Sequence, residues 1–158
     1  HAYAKVEEKD TIVETIVTAG YEKTAHRAGT GYCYEERDGA FVTPGTINIL
    51  VFTNKALTDS AMVKAMMTIT EAKTAALQDW GAESVKLYPF MSEDIPDALT
   101  KERNTTATGT STDGVILTID TNGDVLTDAG TFSLFGDTLA KAVYVGVQRA
   151  LENAIDAE

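Results

Sequence analysis

The densest concentration of side chains able to do chemistry lies at residues 105–114, TTATGTSTDG, where six hydroxyls fall within eight residues and Asp113 stands beside Gly114. A glycine-punctuated turn of this kind lets successive backbone N–H groups converge on an anion or a tetrahedral oxyanion, and the hydroxyls add further donors. The same composition also makes an ordinary turn whose Thr and Ser satisfy their own backbone, which is the commoner outcome. No glycine-lysine-hydroxyl ending follows, so the stretch is not a phosphate-binding P-loop.

Three other residues carry chemical interest. Lys73 falls inside the apolar face of a strongly periodic helix. Either it snorkels, laying its methylenes on the core and sending its ammonium to water, or it is aimed into a partly buried site where desolvation opposes its charge and a carboxylate restores it. His26 is the one internal imidazole, so histidine proton transfer near neutral pH would have to use it, although a loop histidine is more often simply solvated or hydrogen-bonded. Asn48 is the polar exception in an otherwise apolar strand. Two histidines and one cysteine, Cys33, offer no zinc-type ligand spacing, and no nucleophile-elbow motif marks a serine triad.

The elements that must position these groups are organised around residues 45–81. Ile47, Ile49 and Val51 alternate with Asn48, Leu50 and Phe52, which predicts a strand covered on both faces. Thr58 or Asp59 then caps a helix that runs to Trp80, with Gly81 at the left-handed C-terminal position. Its periodicity puts Met62, Met66, Ile69, Ala76, Leu77 and Trp80 on one face and Lys64, Glu71 and Gln78 opposite.

Upstream, residues 11–19 (TIVETIVTA) read as a strand, and Asp38-Gly39 as a hairpin turn. Residues 84–88 suggest a short strand, and residues 89–104, with prolines and charges, a long surface loop. VILTID at 115–120 alternates as a strand, and Thr121-Asn122-Gly123-Asp124 signals a type I′ hairpin into residues 125–129. A helix from about 135 to 153 closes the chain. The expected architecture is a single α+β domain over residues 1–158, a largely antiparallel sheet packed with two long helices.

At 158 residues and 44% hydrophobic content, the chain is long enough for one sizeable core. Thirteen basic against 24 acidic residues give a net charge of −11, which argues against nucleic-acid or anionic-membrane partners. No apolar run reaches the roughly 20 residues that span a bilayer, and the polar first ten residues do not form a signal-peptide core. The single cysteine fits a reducing cytoplasm.

Several blocks are more specific than composition. TAG (18–20), AHRAG (25–29), PGTINILVFTN (44–54), AMVKAMMTITEAKTAALQDWG (61–81) and ATGTSTDGVIL (107–117) occur in that order, followed by FGDTLAKAVYVGVQRAL (135–151). Together they resemble the adenosylcobinamide amidohydrolase family of corrinoid salvage, over nearly the whole chain. This chain departs from the family in lacking an additional N-terminal region, in having Ser111 where glycine is common, and in having no histidine at residues 130–133. It thus reads as a short or divergent member.

The resemblance implies hydrolysis of the amide linking aminopropanol to the corrin ring of adenosylcobinamide, giving adenosylcobyric acid. No protein-bound cofactor or metal is implied, since cobalt arrives inside the corrinoid substrate. Amide hydrolysis needs an activated hydroxyl or water, oxyanion donors and a proton for the leaving amine. The residues expected to supply these are Asp113, Lys73 and Thr110, with Asn48, Thr46, Glu71, Thr108, Gly109, Thr112 and His26 around the substrate. A non-catalytic corrinoid-binding module is the alternative, and a homo-oligomer is compatible with either. One shared site requires Lys73 or Asn48 to lie near residues 108–113.

Overall fold

The computed structural model describes residues 1–21, 24–29, 46–84 and 106–155. Four strands form the main sheet: β1 (Ala2–Glu8), β2 (Thr11–Ala19), β4 (Ile47–Thr53) and β7 (Gly114–Ile119), in the order β1-β2-β4-β7. The first two junctions are antiparallel and β4 pairs with β7 in parallel, so the sheet is mixed and mostly antiparallel. Two small ribbons flank it, β3 (Ala25–His26) with β6 (Gly109–Thr110), and β5 (Ala56–Leu57) with β8 (Val125–Leu126). Helices α1 (Asp59–Trp80) and α2 (Leu134–Ile155) complete the α+β fold.

Helix α1 begins and ends where local chemistry demands. Thr58 caps it by accepting from the Ala61 N–H, and Gly81 closes it at φ 74°, a left-handed conformation that favours glycine. Its core face is Ala61, Ala65, Thr68, Ile69, Ala72, Lys73, Ala76 and Leu77. Met66 does not belong to that face and stands on the outer side with Val63 and Met67, while Met62 and Trp80 are half-buried. Alanines make up half of the core face, and their small side chains suit the close packing of α1 against α2.

The sequence pattern misses β1. Its inward positions are Ala2, Ala4 and the half-buried Val6, of which the two alanines are too small to register as a hydrophobic alternation, yet both are buried and the strand pairs along its whole length with β2. A two-residue connection, Lys9-Asp10, joins them, with Lys9 at φ 55°.

The expectation that the central strand is covered on both faces is also corrected. Ile47, Ile49 and Val51 are buried under the helices, but Phe52 is 37% exposed and neighbouring Ile16 and Ile116 are 40% and 60% exposed. A mainly one-sided sheet needs only alternate apolar positions, and the second set here is excess.

The hairpin expected at residues 121–124 is not one either. β8 leaves β7 and pairs with β5, after a turn in which the Gly123 N–H donates to the Asp120 carbonyl and the Asn122 N–H to the Asp120 carboxylate. Gly123 is not in the left-handed region that type I′ requires. Its glycine serves close approach instead, since a Cβ would lie 2.3 Å from the Asn54 carbonyl oxygen. The Asp38-Gly39 turn and the 89–104 loop, with most of the 84–88 strand, lie outside the described residues.

Helix α2 packs on β1 and β2 as well as on α1. Contact with β2 is close at Gly146, where a Cβ would fall 2.6 Å from Thr15 Oγ1 and 2.9 Å from Val17 Cγ2. Gly146→Val should therefore overpack this junction and lower stability by roughly 1–3 kcal/mol, read from the urea midpoint. An unchanged midpoint would show that the junction yields freely.

At the far end of the sheet, buried Lys55 bridges Asp10 at 2.6 Å and Asp124 at 3.1 Å. The hydrogen bond from Lys55 is the main reason Asp10 is held below its ordinary carboxylate value. A lowered value contributes stability above the ordinary range and loses it as pH falls through the lowered value. Asp10→Asn should thus make the melting temperature less sensitive to acidification below about pH 4, and an unaltered acid limb would contradict the clamp.

Candidate functional site

The site is made where α1 meets the connection between β6 and β7. Lys73 sits on the buried face of α1, its side chain 9% exposed, and its ammonium reaches the Asp113 carboxylate, itself 16% exposed. Between the snorkelling and site-directed readings, the structure selects the second.

Asp113 is held by its own turn. Its Oδ1 accepts from Thr110 Oγ1 at 2.5 Å, and the Thr110 N–H lies 3.1 Å from Oδ1 and 3.2 Å from Oδ2. Lys73 donates to Oδ2. The Thr110 N–H, one of the donors anticipated for an anion, is thus committed to Asp113.

Gly109 explains how the ion pair reaches the backbone. A Cβ there would stand 2.5 Å from Asp113 Oδ2 and 2.9 Å from Lys73 Nζ, so any side chain would displace the pair. The loop is latched from three further directions. Thr74 Oγ1 donates to the Thr108 carbonyl at 3.1 Å, Thr46 Oγ1 to the Thr112 carbonyl at 2.5 Å, and the Ala28 N–H to Thr108 Oγ1 at 2.9 Å.

Most of the anticipated residues converge here. Lys73, Asp113, Thr110, Gly109, Thr108, Thr112 and Thr46 form one neighbourhood, and His26 joins it through its backbone, pairing with Gly109 and accepting from the Thr108 N–H. Asn48 adjoins it, opposite Gly114 in the β4–β7 register, with its Oδ1 2.6 Å from where a Gly114 Cβ would be. Asn48 Nδ2 is held by Thr18 Oγ1 at 3.3 Å.

Glu71 is elsewhere. It is exposed and lines an apolar cleft with Ala72, Ala75, Ala140, Tyr144 and Val145, because two residues along a helix turn about 200° from Lys73. Thr74 was missed by sequence reasoning, although its place directly after Lys73 was the available signal. Among the described residues, no group of three or more His, Cys, Asp or Glu side chains is placed to hold a metal. No helix among them is long and apolar enough to cross a membrane.

A hydroxyl bonded to a carboxylate, which a buried ammonium holds in turn, has the order of nucleophile, base and orienting group found in acyl-transfer sites. Such an arrangement can move a proton between a hydroxyl and a carboxylate. The family described as adenosylcobinamide amidohydrolase matches residues 1–89 and 90–158, and the chain belongs to that family. It is 34% identical over 162 residues to an uncharacterized protein of Methanocaldococcus jannaschii, covering 95% of this chain and 57% of that protein. It is 31% identical over 146 residues to an adenosylcobinamide amidohydrolase of Methanosarcina mazei, covering 87% of this chain and 60% of that one. The chain thus spans about three fifths of the length of these curated relatives. No solved structure matches it.

The buried pair makes a direct prediction. In a double-mutant cycle, Lys73→Met and Asp113→Asn should show a coupling of about 0.5–3 kcal/mol in chemical denaturation. Simple additivity would mean that the two side chains do not meet.

Proposed function

We propose that the chain hydrolyses the amide joining aminopropanol to a propionate side chain of the adenosylcobinamide corrin ring, releasing adenosylcobyric acid. The observation that carries this reading is the continuous contact from Lys73 through Asp113 to the Thr110 hydroxyl. Family membership supplies the substrate class.

In this reading Asp113 is the base, taking a proton as the acyl carbon is attacked and later returning it to the leaving amine. Lys73 is a positioning residue that holds the carboxylate against the turn. Thr46, Thr108, Thr112, Asn48 and the segment at His26 frame the corrinoid side chain around it. We further propose that turnover needs no metal of the protein's own, since an ammonium already stands beside Asp113 where a bound cation would otherwise balance it. Turnover should survive dialysis against a strong chelator, and loss of activity restored by zinc would overturn that part.

Asp113→Asn tests the whole reading. General-base contributions of about 10²–10⁴ in rate correspond to roughly 3–5 kcal/mol of barrier. Turnover of adenosylcobinamide should fall by that factor with corrinoid binding little changed, in protein shown by thermal melting to be folded. A folded variant working within a few-fold of wild type would make Asp113 a turn cap only. Wild-type protein that binds the corrinoid but yields no carboxylate product would establish a binding module instead.

A further inference from the structure

Resting on that amidohydrolase reading, we infer that the attacking group is the Thr110 hydroxyl, not a water activated by Asp113, so that the reaction passes through an ester on Thr110. A carboxylate offers about four lone-pair directions. At Asp113 three donors are in place, and the Thr110 N–H is shared between the two oxygens. Oδ1 faces the Thr110 N–H and Thr110 Oγ1, and Oδ2 faces the Thr110 N–H and Lys73 Nζ. The carboxylate is thus engaged on both oxygens by its own turn and by Lys73. Among the described residues, the O–H that reaches it is that of Thr110.

Donating its proton to Asp113 leaves the Thr110 oxygen lone pairs for attack. Thr110 is held for the purpose, 6% exposed, with its backbone N–H on the same carboxylate and its β6 position paired with Ala25. In the first half-reaction the bond from Thr110 Oγ1 to the acyl carbon forms, and the amide C–N bond breaks. The hydroxyl proton passes to Asp113 and then to the departing amine. In the second, water adds to the ester carbon, the C–O bond to Thr110 breaks, and the products are the free carboxylic acid and the restored hydroxyl. Asp113, whose Oδ1 acylation has freed of the Thr110 proton, takes a proton from that water and passes it to the departing Thr110 Oγ1.

The experiment is turnover of adenosylcobinamide by the wild-type protein in the presence of hydroxylamine, measuring free aminopropanol, carboxylic acid and hydroxamate together. An ester on Thr110 predicts that hydroxamate replaces acid in increasing share as hydroxylamine rises, with no fall in aminopropanol release. Acid-quenched single turnovers should carry the corrinoid acyl mass on the peptide containing Thr110. Thr110→Ser should retain hydroxamate formation, and folded Thr110→Ala should lose turnover by on the order of 10⁴-fold. Aminopropanol release with acid as the sole acyl product at high hydroxylamine overturns the covalent route but leaves the amidohydrolase reading standing, as does Thr110→Ala working within a few-fold of wild type. Absence of aminopropanol release from wild type overturns both.

Discussion

A lysine buried on the inner face of a helix needs a counter-charge, and the placement of the site follows from that need. Helix α1 is seated by Ala61, Ala65, Ile69, Ala76 and Leu77, so its packing sets the buried position from which the Lys73 side chain extends. Losing one partner of a buried pair costs about 3–5 kcal/mol, whereas the intact pair adds little net stability after desolvation. The pair is therefore better understood as a constraint on where the β6–β7 turn can sit than as a source of stability. Thr46, Thr74 and Ala28 add directional hydrogen bonds that fix the turn's orientation once Asp113 has reached Lys73.

Glycine makes that convergence sterically feasible. Gly109 lets the ion pair lie on the backbone of β6, and Gly114 lets Asn48 approach β7. Both act through the volume they leave vacant, and neither occupies the left-handed region. The same holds at Gly146, where α2 closes on Thr15 and Val17. A protein that packs two helices against one face of a mixed sheet and threads a reactive turn beside them uses glycine wherever two backbones must meet.

Much of this was legible in the sequence. The caps of α1, the β2 and β4 strands, the closing helix and the chemical weight of residues 108–113 follow from residue types and spacing. What could not be read depends on contacts remote in sequence. β1 hides because alanine gives little hydrophobic signal, and β8 pairs with β5 instead of β7 through the Ala56 and Thr58 N–H groups, which donate to the Asp124 and Leu126 carbonyls, contacts no local turn rule contains. Glu71 enters the expected site only through the resemblance, whereas the helix period already turns it away from Lys73. The convergence of Thr110 and Lys73 on Asp113 is likewise invisible until the turn is folded.

The central claim is that the acyl carbon of the substrate comes to Thr110 and Asp113. A crystal structure of the protein with a bound corrinoid amide tests it most directly. The account predicts the amide carbon at about 3–3.5 Å from Thr110 Oγ1, the near-attack range, with the Lys73–Asp113 pair intact beneath it. A corrinoid seated over the cleft lined by Glu71, Tyr144 and Val145, with its amide remote from Thr110, would contradict it.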